Sequence, residues 1–252
     1  MPSDFENNLS ASINTLNRNV NELIWANVFH DAIKGCSWLD TENFAIYPGR
    51  SAVGYNYFYV VFRILNEFKP KNILETGLGQ SSRLIGKYVA THENCRHDIV
   101  EHDAAFAEVS RKNFSFSPAS VFNVINLIKV RVGEEGGGEG QQAGTVTAYD
   151  EKNFKNIVDG NKYDFISVDG PFGYNNTAPF SRIDILNYLP QCLNESFCIV
   201  MDDFNRVGEK NTAAIIRNIL TENKIAFHDG VYFGSKDLYL LASAKVGWLT
   251  TM

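Results

Sequence analysis

The sequence predicts an α/β fold in which a mainly parallel sheet carries helices on both faces, and three observations support it. An apolar strand at 72–76 runs directly into a glycine-rich turn and the start of a helix. Apolar strands and amphipathic helices then alternate along the chain, which is the pattern that the crossovers of a parallel sheet require. A final strand pair around Gly234 would add one antiparallel strand. We therefore predict a doubly wound sheet of seven strands with an antiparallel terminal strand, preceded by a helical extension.

The composition is that of an ordinary folded protein. The 252 residues, 44% hydrophobic and 21% charged, suffice for one α/β domain with an appendage. A formal net charge of −6 without a basic cluster argues against a nucleic-acid partner. The four cysteines include no Cys-x-x-Cys pair, so we interpret them as reduced packing residues. The sequence shows no secretory signal and no apolar run of membrane-spanning length, which makes a cytoplasmic location the expectation.

Residues 1–45 are predicted to form the helical extension, followed by the α/β domain at 46–252. Ser3 and Glu6 have the spacing of a capping box. Apolar residues then recur at alternating intervals of four and three, at Leu9, Ile13, Leu16, Val20 and Leu23. Asn27 continues the same register. This spacing is typical of a helix that packs the stripe on its own domain, and also of a seam between two helices of a homodimer, so both interpretations stay open.

A turn signal at 48–49 precedes the first core strand. A segment at 45–55 can fold back over the edge of the sheet, where ligands bind in this fold class. Tyr47, Arg50 and Ser51 are therefore candidate ligand contacts, with a plain structural turn as the alternative.

The remaining elements follow in chain order. Helices are predicted at 57–68, 82–90, 104–113, near 181–188 and at 209–223. Strands are predicted at 72–76, 97–101, 121–132, 163–168, 197–201, 226–233 and 237–244. The stretch 133–144 contains six glycines, which predicts a flexible loop or the tip of a hairpin whose return strand is 145–149.

The turn at 77–82, which reads Gly-Leu-Gly-Gln-Ser-Ser, is predicted to hold a cofactor. Gly77 and Gly79 let the backbone pass close to a ligand, and the helix start supplies backbone N–H groups. Glu75 stands just before the turn and suits a cationic group. Glu101 lies 24 positions after Gly77 at the end of the next strand, where a carboxylate accepts hydrogen bonds from ribose hydroxyls.

S-adenosylmethionine fits this turn better than a nicotinamide dinucleotide. Ser82 stands where the dinucleotide fingerprint has its third glycine, so the helix start is less suited to a pyrophosphate. Glu75 suits the amino group of a methionine moiety. The predicted cofactor-binding residues are Glu75, Gly77, Gly79, Gln80, Ser81, Ser82, Glu101 and His102.

Three carboxylates follow two later strands. Asp169 ends the strand at 163–168, and Asp202 and Asp203 end the strand at 197–201. Carboxylate oxygens are the ligands that Mg²⁺ prefers, so these residues are predicted to hold a divalent cation beside the methyl donor. Such an ion would lower the pKa of an acceptor hydroxyl. For Asp203 alone, capping of the following helix is an alternative role.

Taken together, Glu75-x-Gly77-x-Gly79, Glu101, Asp169-Gly170 and Asp202-Asp203 resemble the class I S-adenosylmethionine-dependent methyltransferases over about 57–244. The spacing is most similar to the metal-dependent O-methyltransferases of the catechol and macrolide-sugar types, and Asp202-Asp203 is closer to the sugar-modifying branch. The resemblance implies a Rossmann-like methyltransferase fold and cofactor contacts at the glycine turn and Glu101. It also implies metal ligation by Asp169, Asp202 and Asp203.

The expected function is therefore methylation of a hydroxyl on a sugar or other small polyol, with Asp169 as a catalytic residue and Mg²⁺ or a similar ion as a second cofactor. A metal-independent methyltransferase that uses Asp169 as the base, and a non-catalytic protein of the same fold, are the alternatives. Catechol-type enzymes carry a lysine three positions after the first metal-binding Asp, and here that position is Phe172. The general base is consequently open, and the candidates are His102, His228, Arg206 and Tyr174.

Overall fold

The computed structural model describes residues 4–40, 44–46, 52–133, 144–173 and 178–251. The strands of this described part are β1 (Asn72–Thr76), β2 (Arg96–Glu101), β3 (Ser120–Val124), β4 (Leu127–Val132), β5 (Gly144–Tyr149), β6 (Tyr163–Val168), β7 (Leu193–Met201), β8 (Phe227–Tyr232) and β9 (Leu238–Ser243). Its α-helices are α1 (Asp4–Ala32), α2 (Tyr55–Arg63), α3 (Gln80–Thr91), α4 (Ala104–Asn113), α5 (Glu151–Val158) and α6 (Val207–Glu222). A π-helical turn at Ile64–Phe68 extends α2.

One sheet of seven strands has the order β3-β2-β1-β6-β7-β9-β8. The first five strands in this order are parallel, and β9 runs antiparallel to both of its neighbours. The predicted fold class is confirmed, including the antiparallel strand contributed by the closing pair. The carboxyl ends of the parallel strands consequently share one edge, which is where ligands bind in open α/β sheets.

Helices cover both faces of the sheet because the central strands are apolar on both sides. Neighbouring residues of β1 divide between two cores, with Ile73 beside α2 and α3 and Leu74 on the opposite face. Phe165 and Ile166 of β6 divide in the same way. The sheet is therefore a rigid platform, and its carboxyl edge is the part left for chemistry.

The stretch 121–132 is two strands, so the prediction of a single strand there is wrong. The chain turns at Ile125, whose backbone N–H donates to the carbonyl of Glu101 at 2.8 Å and whose side chain is buried. Strand β3 stays at the edge of the large sheet, and β4 leaves it to pair with β5. The predicted hairpin with a return strand at 145–149 is confirmed, and residues 134–143 lie outside the described residues.

The predicted helix near 181–188 is also wrong, since only a 3₁₀ turn at Leu186–Tyr188 forms. Arg182 has a φ of +54°, which a helix does not accommodate. Helix α5 was missed, although its sequence carries a signal: Asp150 accepts a hydrogen bond from the Asn153 N–H at 3.0 Å as the N-cap.

Helix α1 packs on the domain with one face only. The ring of Phe29 contacts that of Phe58 with centroids 5.9 Å apart, and Glu22 accepts a hydrogen bond from the Tyr55 N–H at 2.7 Å. The residues of the predicted stripe are all exposed: Leu9, Ile13, Leu16, Val20 and Leu23. The interpretation that this stripe packs on its own domain is therefore wrong, and self-association stays a prediction.

The division of the chain at residue 45 also stays a prediction. Phe29, Ile33 and Leu39 from the N-terminal segment share a core with the sheet. None of the helices in the described part of the chain combines the length and apolar character that crossing a bilayer requires. The proposed contacts of Tyr47, Arg50 and Ser51, the cap at Ser3 and the candidate base Tyr174 fall outside the described residues.

Candidate active site at the carboxyl edge of the sheet

Gly77 and Gly79 shape the glycine turn between β1 and α3 in different ways. Gly77 has a φ of +92°, and a Cβ on it would lie 2.9 Å from the carbonyl carbon and oxygen of Asp169. Only glycine meets both demands without strain. Gly79 has an extended φ of −167°, and a Cβ there would meet only the Oγ of Ser81, at 3.9 Å. The missing side chain of Gly79 therefore leaves space beside the turn.

The turn is supported by polar groups buried beneath it. The N–H of Gly79 donates to the Oγ of Ser82 at 2.9 Å, and the hydroxyl of Ser81 donates to Oε1 of Glu75 at 2.6 Å. The other oxygen of Glu75 lies 2.9 Å from Nε2 of His97, which sequence reasoning missed. Glu75, Ser81 and Ser82 are buried and do not line the cavity at the turn. Their direct contact with a cofactor stays a prediction.

The carboxylate of Glu101 connects the end of β2 to the glycine turn. Its Oε1 accepts hydrogen bonds from the N–H groups of His102 and Asp103, at 2.7 and 2.8 Å, and lies 2.8 Å from Nδ1 of His102. Its Oε2 accepts the N–H of Leu78 at 3.0 Å. A carboxylate offers about four lone-pair positions, so Oε2 keeps one for a ligand. Because Glu101 lines the cavity, that position suits a ribose hydroxyl.

A cavity of about 650 Å³ lies over these groups, within the size range of small-molecule sites. The predicted site residues that line it are Gly77, Gly79, Gln80, Glu101, His102, Asp169 and Asp203. Apolar side chains of α4 and the following loop form a further wall, with Phe106, Val109 and Phe114. The structure thus brings most of the predicted site into one cavity, and Asp202 is buried beside it.

The three predicted metal ligands do meet. One oxygen from each of Asp169, Asp202 and Asp203 lies within 4.8 Å of the other two. Strands β6 and β7 bring them together because they are adjacent and parallel. Asp203 holds a left-handed φ of +59°, a conformation that Asp tolerates better than most residues. Such strain is often found at functional sites.

Three cations of the protein surround these carboxylates. Nη2 of Arg182 lies 2.7 Å from Oδ2 of Asp203 and 3.1 Å from Oδ1 of Asp169. Nη1 of Arg206 lies 2.9 Å from the same Oδ2 of Asp203. Nζ of Lys236 lies 3.5 Å from Oδ2 of Asp202 and 3.7 Å from Oδ1 of Asp203.

These charges determine the protonation of the cluster. Burial and the negative charge of Asp202 raise the pKa of Asp169 well above its ordinary value, while Arg182 and Lys236 oppose that shift. Burial alone would lower the pKa of Arg182, but the surrounding carboxylates raise it overall. Arg182 therefore stays charged, and Asp169 is a stronger base than a solvated carboxylate once it is deprotonated.

The donor atoms of the cluster suit a divalent cation, but its carboxylates already pair with positively charged side chains of the protein. Three carboxylates in reach of one another are a suitable donor set for Mg²⁺. Arg182 already bridges Asp169 and Asp203, however, and it is only 4% exposed. A resident ion would have to share these carboxylates with a buried guanidinium. Metal ligation by Asp169, Asp202 and Asp203 therefore stays a prediction, and positively charged side chains of the protein already pair with all three.

The candidate bases are placed differently. His102 and Arg206 line the cavity, and His228 of β8 does not, since its ring packs against Gly247. Phe172, at the position of the catechol-type lysine, also lines the cavity. Its ring meets His102 edge-on, with centroids 4.7 Å apart.

Sequence reasoning missed the two cations that matter most at this site. Arg182 and Lys236 lie in stretches without strand-end or motif signals, and only folding brings them to Asp169. The apolar wall was missed as well, although Phe106 lies in the helix that follows Glu101 and Phe114 comes directly after it.

The fold is the Rossmann-like fold of class I methyltransferases, as the seven-stranded order and the glycine turn indicate. Among solved structures, the chain is similar to a candidate caffeoyl-CoA O-methyltransferase from Staphylococcus aureus, with a TM-score of 0.51 and 12% identity over 90% of this chain and 100% of that one. It is also similar to a candidate O-methyltransferase from Klebsiella pneumoniae, with a TM-score of 0.50 and 14% identity over 88% and 98%. Neither the family models nor the curated proteins give a match. At these identities the likeness shows the fold alone.

Proposed function

We propose that the protein is an S-adenosylmethionine-dependent O-methyltransferase. The observation that carries the proposal is the carboxylate of Glu101, which lines the cavity at the end of β2 and accepts the backbone N–H groups of Leu78, His102 and Asp103. That is the place of a ribose in this class of sheet. The two solved structures with the same fold carry names of O-methyltransferases, which agrees with the proposal.

The cavity has a suitable surface for each part of the cofactor. Phe106, Val109 and Phe114 offer an apolar wall for the adenine ring. Glu101 receives the ribose. The space left by Gly79 admits the methionine chain, which leads toward Asp169. Gln80 and His102 are proposed as further contacts, and Glu75, Ser81 and Ser82 as contacts or supports of the turn.

When bound, S-adenosylmethionine supplies a methyl group on a positively charged sulfur. We propose that Asp169 accepts the proton of an acceptor hydroxyl as the new O–CH₃ bond forms and the S–CH₃ bond breaks, which leaves S-adenosylhomocysteine. The raised pKa of Asp169 makes its ionised form a stronger base than a solvated carboxylate. Arg182 orients Asp169 through the 3.1 Å contact, and both side chains line the cavity.

Of the two forms of this reaction, we propose the metal-independent one. The proximity of Asp169, Asp202 and Asp203 supports the form that uses Mg²⁺. The pairing of these carboxylates with Arg182 and Lys236 supports the alternative more strongly. A chelator tests the choice: turnover should be unchanged in excess EDTA and in added Mg²⁺, and loss of turnover in EDTA that Mg²⁺ restores would refute it.

For the acceptor, we propose a saccharide or another small polyol. The part of the cavity in which the acceptor would bind is lined by charged side chains of both signs, including Asp203, Arg206 and Lys236. Such side chains suit several hydroxyls on a compact molecule. Methyl transfer from labelled S-adenosylmethionine to a panel of saccharides, polyols and catechols tests the class. Transfer to catechols alone would contradict a polyol acceptor. Cofactor binding without transfer to any acceptor would favour the non-catalytic alternative.

A further inference from the structure

Helix α1 carries an apolar stripe that nothing in the described part of the chain covers. We call Leu9, Ile13, Leu16, Val20 and Leu23 the α1 stripe. Their side chains are between 45% and 66% exposed. Large apolar side chains in a continuous exposed row mark an interaction surface more often than a solvated one.

The stripe lies on the face opposite the one that holds α1 to the domain. Arg18, Glu22, Trp25 and Phe29 form the holding face through contacts with the loop after β8, α2 and the core. With 3.6 residues per turn, the stripe is about 170° away around the helix. Residues 5–17 are exposed at every position, so no described part of the domain packs beneath this half of the helix. A helix of that length is marginal in water without packing, which calls for a partner.

The residue types in the stripe specify that partner. Leu9, Leu16 and Leu23 occupy every seventh position, which we label d. The β-branched Ile13 and Val20 occupy the alternate positions, labelled a. Leucine at d with β-branched residues at a favours a parallel, two-stranded coiled coil. We propose that α1 pairs with α1 of a second copy of this chain in that arrangement.

The flanks of the stripe favour a second copy over other partners. The positions beside it in the exposed half are the neutral residues Ser10, Ser12, Asn17 and Asn19, so two identical helices meet at these positions without repulsion between like charges. A helix that lies on a membrane surface would instead carry lysines and arginines there. Asn27, exposed at the next a position, fixes the register of a parallel pair.

The size of the surface is adequate for a dimer. Seven exposed apolar side chains from Phe5 to Ile24, at roughly 80 Å² each, provide on the order of 1,100 Å² for a pair. That clears the threshold of about 1,000 Å² expected of a biological interface. The two domains would sit on the outer sides of the pair, and no residue of α1 lines the active-site cavity. Pairing therefore leaves both sites open and does not depend on the proposed function.

The mass of the full chain in solution tests the proposal. Light scattering after size exclusion should give about twice 28.3 kDa for the wild type at micromolar concentration. Leu16→Glu, which puts two carboxylates at one d layer, should give about 28.3 kDa, whereas Asn14→Glu on the same helix outside the seam should stay dimeric. Far-ultraviolet circular dichroism of the domain checks that both variants fold. A monomeric wild type, or an unchanged Leu16→Glu dimer, overturns the proposal.

Crosslinking tests the orientation. Ile13→Cys places two thiols at one a layer only if the helices are parallel, so mild oxidation should yield a covalent dimer. Wild type under the same conditions is the control, because it carries four cysteines of its own. Failure of Ile13→Cys to crosslink in a protein that is dimeric by mass would overturn the parallel arrangement.

Discussion

Replacing Arg182 with Met isolates the part of the site that the sequence did not reveal. Arg182 contacts Asp169 and Asp203, and its Nε lies 3.7 Å from Glu209. The buried cluster contains four carboxylates and three cations, counting Asp202, Arg206 and Lys236 with them. The substitution keeps an apolar chain of similar length and removes one positive charge, which raises the imbalance from one negative charge to two.

The magnitude follows from the burial of the group. Arg182 is only 4% exposed, and its removal takes from Asp169 the guanidinium that lies 3.1 Å away, while Asp203 keeps Arg206 and Lys236. Breaking a buried ion cluster in this way costs about 3–5 kcal/mol of unfolding free energy. For a domain of this size, that corresponds to a drop in melting temperature of roughly 10 °C.

A matched control and a metal titration make the result specific. Arg217→Met removes an exposed arginine whose partner is Asp229 at 3.3 Å, and it should cost about 0–1 kcal/mol. Thermal unfolding is measured for wild type and both variants, with and without Mn²⁺ in excess. Mn²⁺ should stabilise only Arg182→Met, since that variant frees the carboxylates, and by about 2.7 kcal/mol at a hundredfold excess over Kd. Equal losses for the two variants, or stabilisation of the wild type by Mn²⁺, would refute the idea that Arg182 takes the place of a metal.

Three further predictions concern the cofactor crevice and the pH dependence of stability. Glu101→Gln removes a charged hydrogen-bond acceptor, and a hydrogen bond to such a group is worth about 1.5–3 kcal/mol. The Kd for S-adenosylmethionine should therefore rise at least tenfold in calorimetric titration. An unchanged Kd would exclude Glu101 as a ribose contact. Gly79→Ala should weaken cofactor binding without changing stability, because its Cβ enters open space. Gly77→Ala should instead lower the unfolding free energy by about 1–3 kcal/mol, because Gly77 has a φ of +92°. Denaturant unfolding and cofactor titration of both variants separate the two effects, and the reverse pattern would contradict the geometry. Burial raises the pKa of Asp184 to about 7, although the N–H of Tyr149 donates to it at 2.6 Å. Because the pKa of Asp184 is higher in the folded state than in the unfolded state, this group favours folding most at low pH. Up to about 4 kcal/mol of the unfolding free energy is lost as the pH rises from about 4 through 7. Asp184→Asn should remove that slope from the unfolding free energy measured against pH, and an unaltered slope would contradict the assignment.

The sequence was informative wherever a local pattern had only one structural solution. Apolar runs that end in an acid identified β1, β2, β6 and β7, because such runs are buried on both faces of a parallel sheet and the acid must lie at its edge. The glycine spacing at 77–82 located the turn for the same reason.

The sequence was less informative where contacts between residues far apart in the chain determine the local structure. The break of 121–132 into two strands depends on a hydrogen bond from Ile125 to Glu101, and the missing helix near 181–188 depends on the left-handed Arg182. Both are tertiary effects that no local propensity encodes. The role of Glu75 shows the same limit: its place before the turn indicated a ligand contact, while the structure pairs it with Ser81 and His97.

The proposed function requires that the crevice at the sheet edge receive an adenosine bearing a sulfonium side chain. Titration calorimetry of the wild-type chain with S-adenosylmethionine, S-adenosylhomocysteine and NAD tests it most directly. We predict saturable binding of the first two, one molecule per chain, and no heat above dilution from NAD. Saturable binding of NAD alone would contradict the assignment of this crevice.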